Sequence, residues 1–327
     1  MSTVGEAPRR GPGRLRVAVC WITIGSCVPY LVLKVLWLFG STAGAADAEG
    51  AAELLDVRHI VGDVVTAAME LFAVALVLAL TYPWGRRLPA AVVAAPIWLA
   101  TGLLAPIAVG LPLGLVAQAF AGGTPAPAGN GLDGWVFALV YGGFVVQAVG
   151  LPFAFVAHAR ERWPQVFRLR LNQPHRPVAG PRRLTVVTVA VTAGYAAILV
   201  VWSVTGSRWG GPAGFDTVAQ RTALLSTGLL VLFGAVAVPV LLWWRGPWPV
   251  VGPLVLAWIG TSVTVTAGPT HLALSNHGTV SVPLVSVSLV ATVAGLVLTR
   301  SAIRALPPAE FAGGSGRSLI RRSEPVG

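Results

Sequence analysis

The stretch IVGDVVTAAMELFAVALVLALTY, from Ile60 to Tyr82, decides the fold. A bilayer core ~30 Å thick needs roughly 20 apolar residues to be crossed by a helix. This stretch has that length, and only Asp63 and Glu70 in it carry charge. A strand of a membrane barrel would instead alternate apolar and polar at every second residue. Seven similar stretches accompany it, so the sequence predicts spans at about 17–39, 60–82, 90–111, 135–158, 184–205, 221–243, 250–268 and 281–299. The chain reads as an all-α membrane protein of about eight transmembrane helices.

Composition agrees. Of 327 residues, 55% are hydrophobic and 11% charged, with mean hydropathy +0.76, whereas a soluble domain carries about 25% charged residues. The net charge of +11 resembles a nucleic-acid signal, but its placement argues otherwise. Lys34 is the one lysine. Nineteen arginines fall at the termini and between spans two and three, four and five, and six and seven. Only Arg58, Arg208 and Arg221 fall on the other side. The positive-inside rule then places both termini in the cytoplasm of a multi-pass cell-membrane protein. The expected partners are the bilayer and its anionic lipids, with a protein partner or homo-oligomer left open and no nucleic acid.

These boundaries divide the chain into a tail (1–16), a first four-span unit (17–158), a basic linker (159–183), a second four-span unit (184–299) and a second tail (300–327). The first outer loop, Gly40 to His59, is Ala-rich and predicts a short helix leading into span two. The connection from Gly110 to Gly134 reads as a surface loop, because Gly122-Gly-Thr-Pro-Ala-Pro127 breaks helices. The run Val17–Phe39 is too long for a signal-peptide core and contains Pro29 and Lys34, so it reads as an uncleaved anchor. Arg9-Arg10 precedes Gly-Pro-Gly, not the apolar residue of a twin-Arg signal. Cys20 and Cys27 are separated by ~10 Å of helix and cannot bond to one another; they read as packing residues.

The two units look related. A shift of 160 residues aligns Asp56 with Asp216, Thr66 with Ser226, Pro89 with Pro249, Trp98 with Trp258 and Thr101 with Thr261. A shift of 165 aligns Tyr30 with Tyr195 and Trp37 with Trp202. Two four-helix repeats with an even number of spans would be parallel, related by a pseudo-two-fold along the membrane normal. Against this, interfacial Trp and helix-initial Pro recur in unrelated membrane proteins.

The chemistry is concentrated in the opening stretch. Asp63, Thr66 and Glu70 fall at i, i+3 and i+7 and share one helix face. Ionised carboxylates at such depth cost roughly 2.5–3.5 kcal/mol on insertion scales, so they face the bundle interior. Span one offers Tyr30 and Lys34 at matching depth. The expected cluster is Lys34 paired with Asp63, Glu70 one or two turns deeper, and Tyr30 nearby as a hydrogen-bond partner. The aligned positions in the second unit are Leu199, Ala223 and Leu230, so the charge is not duplicated. Such a cluster reads either as an ion or proton site worked by Glu70 or as an ion pair that fixes packing. The discriminator is whether spans one, two, five and six enclose water around Glu70.

Other polar groups are less pointed. Pro96, Pro106, Pro152 and Pro239 interrupt spans, usually as simple kinks. The hydroxyls of Thr261, Ser262, Thr264, Thr266, Ser286, Ser288 and Thr292 read as helix-packing groups, and Gln147 is the remaining uncharged polar side chain of note. His59, His271 and His277 with Asp56 form a possible outer zinc set, which nothing beyond the count supports. His158 and His175 read as interfacial. No nucleophile triad, phosphate loop, Cys-x-x-Cys pair or dinucleotide fingerprint is present, so no catalytic residue and no cofactor is expected.

The segments Pro29-Tyr-Leu-Val-Leu-Lys-Val-Leu-Trp37, Trp84-Gly-Arg-Arg-Leu-Pro89 and Tyr141-Gly-Gly-Phe144 resemble a group of multi-pass integral membrane proteins of high-GC Gram-positive bacteria. The resemblance implies a bacterial cell membrane and no activity. Two function classes follow from the residues. One is a non-catalytic structural or regulatory membrane component whose buried charges set packing. The other is a small-solute or ion/proton-coupled transporter working through Glu70. A membrane enzyme stands third.

Overall fold

The computed structural model describes residues 11–125, 131–172, 182–275 and 279–305. Nine α-helices lie among them: α1 (Arg14–Leu38), α2 (Ala48–Leu54), α3 (Val57–Thr81), α4 (Ala90–Ala121), α5 (Gly134–Arg162), α6 (Arg182–Thr205), α7 (Val218–Trp243), α8 (Val251–Leu274) and α9 (Val282–Arg304). All but α2 are long and apolar enough to cross a membrane. His277, His175 and most of the second tail lie outside the described residues.

Local chemistry sets the helix starts. The Asp56 carboxylate accepts from Arg58 N–H at the head of α3. Thr217 and Gln220 form a reciprocal capping box on α7, and Ser281 caps α9 with Pro283 in its first turn. The short α2, capped by Asp47, stands separate from α3.

Helix α4 departs most from expectation. It continues past residue 111 to Ala121 through Pro106 and Pro112. In the membrane, the backbone groups a proline frees have no bulk water to favour breaking the helix. Two glycines inside the extended helix are packing positions. A Cβ at Gly110 would lie 2.7 Å from Ser226 Oγ, and one at Gly114 would lie 2.7 Å from Ala219 O, so both admit α7 closely. Gln118 then fastens the end: its Oε1 accepts from Ala219 N–H and its Nε2 donates to Gly122 O. Gly122, at φ +77°, turns the chain away.

Helices α1, α3 and α5 pack on one another, as do α6, α7, α8 and α9. Helix α4 joins the two groups, lying on α5, α7 and α8 and only lightly on α3. At the α4–α8 crossing, Trp98 Nε1 donates to Thr261 Oγ1 at 3.3 Å, and Trp258 Nε1 donates to Thr101 Oγ1 at 3.2 Å. Each bond is the other's image under a shift of 160 residues. The neighbourhoods of α3 and α7 are unlike, however. In its most apolar window α7 is 61% buried, against 33% for α3.

The connections are tied down at both ends. Ala45 bridges Leu132 across two loops at one end. At the Arg-rich end Arg170 bridges Pro249, with Leu171 N–H donating to Trp248 O and Val250 N–H to Leu169 O.

Candidate functional site: a buried polar file on α1, α3 and α5

Lys34 Nζ lies 2.6 Å from Asp63 Oδ1, and both side chains are buried. The ammonium is also held by two rings of its own helix. It lies 4.6 Å from the centroid of Tyr30 and 4.7 Å from that of Trp37, at i−4 and i+3. Trp37 is fixed in turn by donating Nε1–H to Ala43 O at 2.8 Å. Tyr30 therefore serves the pair through its ring face, not through the hydroxyl the sequence suggested. Its other side packs edge-on against Phe144 of α5, 5.5 Å between centroids. Asp63 Oδ2 is buried without a protein partner.

Thr66 takes no part in the pair. Its hydroxyl donates back to Gly62 O at 2.7 Å within α3, as threonine commonly does in a helix.

Glu70 is met from α5. Gln147 Nε2 donates to Glu70 Oε2 at 2.9 Å and to Oε1 at 3.1 Å, and both side chains are buried. The Cys27 thiol lies between Thr23 O, at 3.3 Å, and the same carboxyl. Glycine makes this approach possible. A Cβ at Gly143 would lie 2.9 Å from Ser26 O, and one at Gly150 would collide with Thr23 Oγ1. One glycine precedes Gln147 by four residues and the other follows by three, so all three share the α5 face pressed against α1. The side chains described against Glu70 come from spans one and four, not from spans five and six. The spacing Gly-x-x-x-Gln-x-x-Gly marks a close-packed face of α5 without naming the helix opposite.

The charged residues thus form two separate pairings along one three-helix seam. None of the described ion pairs includes Glu70. Two surface hollows of about 260 and 400 Å³ lie elsewhere, the first along Val28, Val32 and Leu36, the second around Trp244, Trp248 and Pro253. The hydroxyls of α8 bond along their own helix: Thr261 donates to Ala257 O, Thr264 to Gly260 O and Thr266 to Ser262 O.

The histidines do not assemble. Among the described residues no group of three or more His, Cys, Asp or Glu is placed to share a metal. His271 is buried edge-on against Phe215, while His59 is only half-buried at the head of α3. His158, read as interfacial, lies at the Arg-rich end and is fully buried there, beside Trp163. Its position within α5, four residues before Arg162, turns it toward α1 and α3.

No family model matches the chain, and no curated protein or solved structure matches it. The site therefore rests on its own geometry.

Proposed function

We propose that the protein is a non-catalytic structural or regulatory component of a bacterial cell membrane, whose buried charges lock α1, α3 and α5 together. The observation that carries this reading is that each carboxylate of α3 is engaged by a side chain of a neighbouring helix. Asp63 is held by Lys34 of α1, and Glu70 by Gln147 of α5. Breaking a buried pair by removing one partner is strongly destabilising, whereas the intact pair adds little net stability and specifies geometry instead. On this reading the file sets helix register.

In this proposal both termini are cytoplasmic and the Arg-rich end meets anionic headgroups, supported by the one-sided arginine distribution. We also infer that the chain arose by fusion of two parallel four-span units. The reciprocal Trp98–Thr261 and Trp258–Thr101 bonds support it, since an isologous contact places residue i on j and j on i. The looser seat of α3 relative to α7 marks where the first unit diverged.

One observation favours the transporter reading: Asp63 Oδ2 lacks a protein partner, and none of the described ion pairs includes Glu70. Reconstitution separates the two. Vesicles holding wild type and Glu70→Gln should show equal proton and cation leak if the file is a lock. A leak or uptake present in wild type and lost in Glu70→Gln makes it a transporter.

A further inference from the structure

A second polar cluster closes the Arg-rich end of the α1–α3–α5 seam, and the lock does not use it. Arg16 Nη1 donates to Glu161 Oε1 at 2.7 Å, and its Nη2 donates to Leu80 O at the end of α3. Arg86 Nη1 lies 3.6 Å from Glu161 Oε2. Arg162 Nη2 donates to Leu88 O at 2.7 Å, and its guanidinium carbon lies 5.1 Å from the Trp163 ring centroid. Two guanidinium groups thus share one carboxylate, and the third has only a backbone carbonyl and a ring.

The cluster is also short of acceptors. Arg16 Nε and Arg162 Nη1 are buried without a protein partner, and the His158 ring meets the backbone at Leu80. His158, fully buried, sits within electrostatic reach of Arg16, Arg162 and Glu161. Buried donors left unpaired cost stability, and two in one place call for an acceptor that the described residues do not supply. A structural arginine cluster would be balanced by acids, and among the described residues only Glu161 serves. That carboxylate and Arg86 are the exposed members, their side chains 46% and 43% exposed, while Arg16 beneath them is 11% exposed. Glu161 therefore covers the arginines and is itself free to leave.

We propose that Arg16, Arg86 and Arg162 form a binding site for a phosphate group, which displaces the Glu161 carboxylate from Arg16 and Arg86. Planar guanidinium forks suit the several acceptor oxygens of a phosphate better than the two of a carboxylate. The site lies where a membrane helix ends, at the depth of lipid headgroups. It deepens the reading that the Arg-rich end meets anionic headgroups and rests on that reading only for which leaflet supplies the lipid. The phosphate belongs either to an anionic lipid or to the free anion.

The test uses the purified full chain in detergent, where binding does not depend on membrane orientation. Native mass spectrometry would titrate phosphatidylglycerol and phosphatidylcholine against wild type, Arg86→Gln and Glu161→Gln. Phosphatidylglycerol should bind in preference to phosphatidylcholine. Arg86→Gln, at a half-exposed position, should weaken it about fivefold. Glu161→Gln should tighten it, because the competing carboxylate is gone. A merely structural ion pair predicts no such gain, so unchanged or weaker binding in Glu161→Gln overturns the proposal. Equal binding of the two lipids, insensitive to Arg86→Gln, also overturns it. Displacement of phosphatidylglycerol by added inorganic phosphate assigns the site to the free anion, and failure to displace assigns it to the lipid. Cysteine labelling of intact cells addresses the orientation separately.

Discussion

Lys34 and Asp63 show how much one residue pair can demand of its surroundings. An ammonium at membrane depth is tolerable here because a carboxylate and two aromatic faces replace its water. Lys34→Met should therefore cost about 3–5 kcal/mol by stranding Asp63. Adding Asp63→Leu should recover most of that loss, as unfolding in denaturing detergent would reveal. Equal stability of Lys34→Met and wild type would remove the pair from the account. The pairing was legible in sequence because both residues had a face and a depth, and charge leaves few alternatives in a membrane. The role of Tyr30 was half legible: spacing placed it beside Lys34 but could not tell ring from hydroxyl. The arginines near His158 say nothing of its burial, which follows from the turn of α5 that aims it inward.

Helices α1 and α5 meet at the distance their small residues allow. Gly150 has Thr23 Oγ1 where a Cβ would go, so Gly150→Ala should destabilise by roughly 1–3 kcal/mol through overpacking. Thr23→Ala in the same chain should restore the loss, and a failure to restore it would mean that α1 and α5 do not meet there. At the α4–α8 crossing, Thr101→Val and Thr261→Val each remove the acceptor of an indole N–H. They should cost similar amounts, about 0.6–1.7 kcal/mol, and a large difference would count against the reciprocal contact. The extra ten residues of α4 were not legible. Gly110, Pro112 and Gly114 favour loops in water, and only the approach of α7 reveals the two glycines as contact residues. Gln147 was noticed for its polarity, yet its partner could not be named, since sequence does not say which helix lies opposite.

For the molecule as a whole, the proposed orientation rests on an arginine-rich face and is checked by labelling. A cysteine at the exposed Thr42 should react with an impermeant maleimide in intact cells, and one at the exposed Pro164 should not. The reverse pattern would invert the topology. Cys20 and Cys27 are both buried and give a low background. Whether the bundle is closed is likewise a property of all its helices, and Glu70 reports it from the middle. The most direct test of the lock is a pH series of carboxylate infrared difference spectra on the reconstituted protein, wild type against Glu70→Gln. The account predicts no Glu70 band titrating near neutral pH, and a loss of thermal stability in Glu70→Gln. A Glu70 band that titrates near neutral pH, with stability unchanged in the variant, would contradict it and make the file a path for protons.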